Sequence, residues 1–301
     1  MSQALCYLTA NHCPRSIEDA IAPVHILVPG SNNNTVYACQ PAPGSSRLTC
    51  IVGTAEGIAK MQGDKLTWLK PSASSHRRRK QKQGSSANQN PNNEPRPWER
   101  DVLSVDFLAQ NPAEIVLAGT RSSHVCLLDL RMPPHEWRPK SNSFRHFSSA
   151  AHVKSVGPYS VLAAGPRSAM SLYDIRFLQQ QKQSQQQPEG SSSTASNGWG
   201  NPAKSIVEFP VYRNKAHLFL GLDVLTEPGY GSSGIVAAAN DDETVGLYSL
   251  QDGTRIASPA VDGIKAPKQV GSLMWQTLPG DRHPSLFVGE GPSIKKYSFW
   301  A

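Results

Sequence analysis

Two short motifs carry the side chains best suited to chemistry at a surface. Leu128-Asp129-Leu130-Arg131 and Tyr173-Asp174-Ile175-Arg176 each place an arginine two positions after an aspartate, and the two arginines lie 45 residues apart. In an extended chain, residues i and i+2 point to the same side. Each motif therefore sets a carboxylate beside a guanidinium. A guanidinium is a planar fork of donors that can hold a partner carboxylate or a row of carbonyls. The competing reading is that both arginines only close salt bridges within the chain.

Other candidates have less to offer. Arg77, Arg78, Arg79, Lys80 and Lys82 put five basic residues in a run of six. Such a run suits nuclear import or phosphate contact, and it equally suits a solvated loop. No aromatic residues are interleaved with it, so base stacking is unsupported. Cys6, His12 and Cys13 lack zinc-finger spacing. Asp241-Asp242-Glu243 lacks the alternating ligands and glycine of a calcium loop. His152 and His217 open apolar stretches and are expected to be hydrogen-bonded within the fold. There is no nucleophile elbow, metalloprotease helix, phosphate loop or dinucleotide fingerprint. No catalytic set, metal site or cofactor is expected.

These motifs sit in a chain of 301 residues, 38% hydrophobic and 18% charged, with a formal net charge of +7. The charge is unevenly placed. Between Pro71 and Arg100 there are seven Arg or Lys and two Glu, so this segment supplies most of the excess. A basic surface evenly suited to nucleic acid is not implied. No apolar run reaches 18 residues, and the N-terminus lacks the pattern of a signal peptide. Five scattered cysteines without Cys-x-x-Cys spacing argue against a disulfide scaffold. A reduced, intracellular setting, nuclear or cytoplasmic, is expected.

Two stretches are too polar to order themselves around a core. Residues 71–100 form a basic Ser/Asn/Gln/Pro-rich loop, and residues 179–204 a Gln/Ser-rich insertion. Both are expected to be disordered. The rest reads as short β-type runs that repeat. Cys50-Ile51-Val52-Gly53, Val116-Leu117-Ala118-Gly119, Val161-Leu162-Ala163-Ala164, Val236-Ala237-Ala238-Ala239 and Leu286-Phe287-Val288-Gly289 each precede a polar turn and a second apolar run. With the insertions set aside, the units start 36, 45, 49 and 50 residues apart. A four-stranded propeller blade has a period of about 40–45 residues. The small residues are expected to relieve crowding of inner strands around the channel. His25 to Ala38 offers a sixth, shorter hairpin. The chain length predicts an all-β propeller of about six to seven blades, irregular at its N-terminal side. Residues 1–70 would begin the propeller, 101–178 would carry the tandem Asp-x-Arg blades, and 205–301 would complete it.

The ends of two successive units, with their Asp-x-Arg, resemble the WD40 repeat family, whose repeats usually end in Trp-Asp. More specifically they resemble the tandem signature of the cullin-4-associated substrate receptors. Gly234 to Ala239, with Leu247 to Gly253, is similar to a divergent, fungal-like WD-repeat receptor of the fourth numbered type. Leu128 and Tyr173 stand where the family has Trp, and the later units lack the Asp-x-Arg. The resemblance covers roughly residues 101 to 300. It implies a WD40-type propeller and a non-catalytic substrate receptor of a cullin-4 RING ubiquitin ligase. Asp129, Arg131, Asp174 and Arg176 would bind the propeller adaptor, and another face would hold an unknown protein substrate. Neither a small-molecule substrate nor a membrane is implied. The alternative is a WD-repeat scaffold of another nuclear complex, in chromatin or RNA processing. A propeller enzyme stands third.

Overall fold

The repeated unit is a β-hairpin, and the fold supplies each hairpin with flanking strands. In a computed structural model, the described residues are 5–6, 24–25, 35–43, 49–63, 65–69, 96–110, 114–137, 142–178, 201–203, 205–226 and 234–299. They form five antiparallel sheets in a ring, a five-bladed β-propeller. Among them there is no α-helix, only single 3-10 turns at Pro97–Glu99 and Ile175–Phe177.

Strands β1 (Leu5–Cys6) and β2 (Val24–His25) pair only with each other. Blade 1 runs β3 (Val36–Pro41), β4 (Thr49–Thr54), β5 (Gly57–Gln62) and β6 (Lys65–Trp68). Blade 2 has β7 (Val102–Phe107), β8 (Ile115–Thr120), β9 (His124–Asp129) and β10 (Ser143–Arg145). Blade 3 has β11 (His152–Ser155), β12 (Ser160–Gly165) and β13 (Ala169–Asp174). Next comes β14 (Asn201–Pro202), which adds to blade 2 as a parallel strand beside β10; β15 (Ser205–Glu208) then completes blade 3. Blade 4 has β16 (Leu222–Thr226), β17 (Gly234–Ala239), β18 (Val245–Ser249) and β19 (Arg255–Ile256). Blade 5 has three strands, β20 (Ser272–Gln276), β21 (Ser285–Glu290) and β22 (Ser293–Tyr297).

The blade count corrects the expectation of six to seven. The five sequence repeats are the second and third strands of the five blades. The supposed sixth hairpin is not one. Val36–Pro41 is the first strand of blade 1, paired with Thr49–Thr54, while Val24–His25 pairs with Leu5–Cys6. Long connections, such as Ala257 to Gly271 between blades 4 and 5, absorb the residues that length alone assigned to another blade.

The two low-complexity stretches end in ordered structure. Trp98, at the close of the basic loop, is fully buried and meets Trp137 edge-on at 5.9 Å. Asn201–Pro202, near the end of the Gln/Ser-rich insertion, reaches blade 2. At Trp98 one large apolar side chain outweighs the polar composition around it.

Apolar clusters fill the seams between successive blades. Ile51 and Ile58 of blade 1 pack with Val105 and Phe107 of blade 2, and Leu172 of blade 3 packs with Val236 and Tyr248 of blade 4. The small residues ending the second strands lie beneath the chain that enters the next blade. A Cβ on Gly53 would meet the Val102 carbonyl oxygen at 2.7 Å, and one on Gly119 the Ala150 carbonyl oxygen at 2.5 Å. The chain entering the inner strand of the neighbouring blade therefore crowds Gly53 and Gly119.

The inner strands are clipped together by polar side chains. Val153 N–H donates to Ser104 Oγ at 3.0 Å, and Ser155 N–H to Asp106 Oδ2 at 2.8 Å, joining blades 2 and 3. Lys154 Nζ lies 3.0 Å from Asp223 Oδ1, joining blades 3 and 4. Asp223 Oδ2 accepts from Trp275 N–H at 2.8 Å, joining blades 4 and 5. Burial raises the Asp106 pKa, with Lys154 opposing it. Burial alone would lower Lys154, but Asp223 and Asp106 hold it above the ordinary lysine value.

Candidate functional site

The Asp-x-Arg units are built by the end of a blade's third strand. Asp129 is the last residue of β9 and pairs with Ile115; Asp174 is the last of β13 and pairs with Ser160. There the chain turns. Leu130 N–H donates to the Glu114 carbonyl at 2.7 Å, and Ile175 N–H to the Tyr159 carbonyl at 2.9 Å. Each aspartate folds back to accept the N–H two residues on, 2.9 Å from Arg131 and 2.9 Å from Arg176. This is the local hydrogen bond that makes aspartate a turn former.

Each guanidinium then closes on its own aspartate. Arg131 donates from Nε at 2.9 Å to Oδ1 and from Nη2 at 2.7 Å to Oδ2 of Asp129. Arg176 does the same to Asp174 at 3.0 and 2.5 Å. These charge-assisted bonds hold both carboxylates below the usual aspartate pKa. They stay ionised at neutral pH and are poor proton carriers. Intramolecular pairing, the competing reading of the sequence, is thus present in both units. It does not bury the arginines, whose side chains remain 58% and 56% exposed.

The neighbour just before the adjacent, paired strand differs. Arg131 Nη1 lies 3.0 Å from Glu114 Oε2, whereas Arg176 stacks over the Tyr159 ring at 5.1 Å. Glu114 and Tyr159 hold the same position, 15 residues before the aspartate of their unit. Gln110 Nε2 donates to the Tyr159 hydroxyl at 3.1 Å, and Ala109 N–H to Ser155 Oγ at 2.9 Å. The two units, from equivalent strand ends of adjacent blades, are thereby joined along one rim. Met132 and Tyr159 add partly exposed apolar surface to it. Sequence reasoning missed Glu114, Gln110 and Tyr159. The recurring 15-residue offset is the signal that identifies the first and last.

Blade 4 keeps the turn without the charge. Ser249 Oγ accepts from Gln251 N–H at 3.2 Å, and Leu250 N–H donates to the Gly234 carbonyl at 3.0 Å.

The remaining candidates fall elsewhere. Arg77, Arg78, Arg79, Lys80 and Lys82 lie outside the described residues. Burial depresses the pKa of His152 to about 4, with Lys154 adding to the shift. His217 is not within a blade; its ring meets Gln269 Nε2 at 2.8 Å in the chain leading to blade 5. A buried histidine that sequence reasoning missed, His146, bonds Tyr173 Oη through Nδ1 at 2.9 Å. In the acidic turn, Asp242 accepts the Thr244 hydroxyl at 2.6 Å, Asp241 accepts Lys215 N–H at 3.1 Å, and Glu243 pairs with Lys265. Those carboxylates are engaged in fixing loops. Among the described residues, no group of three or more His, Cys, Asp or Glu is placed to hold a metal ion, and no helix is long and apolar enough to cross a membrane.

No family model matches the chain, and no curated protein matches it. Among solved structures it is similar to the computationally designed Ika4 protein, with 11% identity over 66% of this chain and 91% of that one, at a TM-score of 0.41. The computationally designed Ika8 protein is similar at 12% identity over 87% of this chain, at a TM-score of 0.47. This chain covers 58% of Ika8.

Proposed function

We propose that the chain is a non-catalytic protein-interaction propeller of WD40 type. In this reading it is the substrate receptor of a cullin-4 RING ubiquitin ligase and binds the propeller adaptor through the rim of Arg131 and Arg176. One observation carries the reading: the same chelated arginine is built twice, by the same hydrogen bonds, on adjacent blades, and both are more than half exposed. Arginine, tyrosine and methionine are the residue types enriched in interface hot spots and cores. Asp129 and Asp174 position the forks, and Arg131 and Arg176 make the contact. The receptor does no chemistry itself. It raises the effective concentration of a substrate lysine near the charged conjugating enzyme. The basic run at Arg77–Lys82 would serve as the import signal for a nuclear pool.

The test is co-purification of the full chain with the adaptor, wild type against an Arg131→Ala, Arg176→Ala double variant. The wild type is expected to recover the adaptor and the double variant to lose it while its melting temperature holds. Equal recovery removes the role from these residues. Recovery of a different nuclear assembly without cullin subunits moves the chain to the scaffold class.

A further inference from the structure

Blade 5 stops one strand short of the others. In blades 1 to 4 an outer strand, β6, β10, β15 or β19, pairs antiparallel with the third strand. Among the described residues nothing pairs with the outer edge of β22. The two-residue turn Gly291-Pro292 closes on the Glu290–Ser293 pair. Bonding alternates along such a hairpin, so Ser293, Lys295 and Tyr297 direct their N–H and C=O groups to β21, while Ile294 and Lys296 turn theirs outward. An edge of this kind is a template for another extended chain.

Strand register shows what the edge is shaped to take. Ile58, Val125, Met170, Val245 and Ile294 stand opposite Gly53, Gly119, Ala164, Ala239 and Gly289, the same place in all five blades. The first four are buried, at 7% exposure or less, whereas Ile294 is 77% exposed. Met274 and Phe287 share its sheet face, the one opposite to Leu286 and Val288, which pack on blade 4. Met274 is also exposed, and among the described residues no apolar cluster joins this face to blade 1. In blade 2 the outer-strand residue opposite Val125, the counterpart of Ile294, is the buried Phe144. In blades 3 and 4 Val207 and Ile256 stand two residues along the same face, opposite Leu172 and Leu247. Three outer strands thus set a bulky apolar side chain where blade 5 has none. The residues after β22 do not supply one. Ser298 Oγ lies 3.1 Å from Ser285 Oγ, and Phe299 packs on Trp275 at 5.4 Å, so the chain turns back across β21 and β20. Lys295 pairs with Glu290 at 2.6 Å and Lys296 with Asp281 at 2.7 Å, so neither lysine is left to select an occupant by charge.

We infer that β22 is a docking edge for an extended segment of a partner protein, which pairs antiparallel with Ile294 to Lys296 and sets a bulky apolar side chain against Ile294. Main-chain hydrogen bonds supply the affinity, and the apolar contact supplies the preference. Two such edges pressed together would bury far less than the roughly 1,200 Å² of a stable dimer, so the occupant is a peptide-like segment and not a second copy. The site stands apart from the arginine rim, which lies on blades 2 and 3.

Amide hydrogen exchange and light scattering of the full chain come first. The chain is expected to be monomeric, with fast exchange at Ile294 and Lys296. Slow exchange in the monomer would mean that this chain covers the edge itself, and a dimer dissolved by Ile294→Asp would mean that a second copy does. Either result overturns the inference. Binders to the full chain are then selected from displayed random-sequence peptides, and the best is measured by fluorescence anisotropy. It is expected to carry a bulky apolar residue and to slow exchange at Ile294 and Lys296. Methylating its backbone nitrogens one at a time should abolish binding at alternate positions. Ile294→Asp should weaken binding about tenfold or more, the range of a hot-spot contact, with the melting temperature held because Ile294 is exposed. Lys296→Pro removes an outward N–H that an edge strand can lack, and should weaken binding alike. The inference is overturned if no peptide is selected, if the protection falls on another strand, or if both variants bind the peptide as the wild type does.

Discussion

Lys154 on the inner strand of blade 3 and Asp223 on the inner strand of blade 4 meet at 3.0 Å, and the other Asp223 oxygen takes a backbone N–H from blade 5. One ion pair thus ties three blades at the centre. Asp106, on blade 2, faces the same ammonium, and burial raises its pKa.

Replacing Lys154 by Met leaves two carboxylates without their cation. Losing one partner of a fully buried pair costs roughly 3–5 kcal/mol. About a third of the Lys154 side chain is exposed, so the expected loss here is about 2 kcal/mol. Protonating Asp106, whose pKa burial raises, relieves the repulsion. The gap between variant and wild type in chemical denaturation should therefore narrow as pH falls.

The buried histidines predict acid sensitivity. Burial lowers the His146 pKa to about 4 from its ordinary 6.5, and His152 behaves alike. The folded state holds both rings neutral, while the unfolded chain takes up protons below about pH 6.5. Stability is thus complete above that pH and is lost as pH falls toward 4, by up to about 3 kcal/mol for His146. Melting temperature against pH should have a shallower slope over this window in His146→Gln than in wild type.

Gly119→Ala should destabilise by about 1–3 kcal/mol, the range for overpacking, because its Cβ would strike the Ala150 backbone. Gly291→Ala is the control. Its φ is +61° with open space around it, so only the backbone term of about 1 kcal/mol applies. Urea unfolding of both variants checks the order.

Arg131→Ala and Arg176→Ala should leave the melting temperature close to wild type, since the guanidiniums are solvent-screened. Arg→Lys at both positions should also fold normally. A lysine cannot reproduce the fork, so adaptor recovery should still fall. A melting temperature lowered by either change would mean that the arginines serve the fold.

The hairpins of blades 1 to 4 were legible because their second strands are mostly buried and end in small residues, whereas β22 of blade 5 is largely exposed. Val116–Gly119 and Val236–Ala239 read as continuous apolar runs for that reason. The flanking strands were not. β7 carries Ser104 and Asp106, whose side chains clip the next blade, and β19 is only Arg255–Ile256. β7 does alternate from Leu103 to Phe107, but it has no partner run beside it in the repeat, and β19 is too short to alternate at all. The Asp-x-Arg pairs were legible as local spacing. Tyr159 and Glu114 reach them through strand register, which shows in one dimension only as a shared 15-residue offset with no local motif to mark it.

The serine of blade 4 keeps the bend that blades 2 and 3 make with aspartate. Bend and cation are therefore separable in this fold. Changing Ser249 to Asp and Gln251 to Arg would graft a third guanidinium onto the same bend, so the valency of this border is set by two side chains while the architecture beneath it stays put.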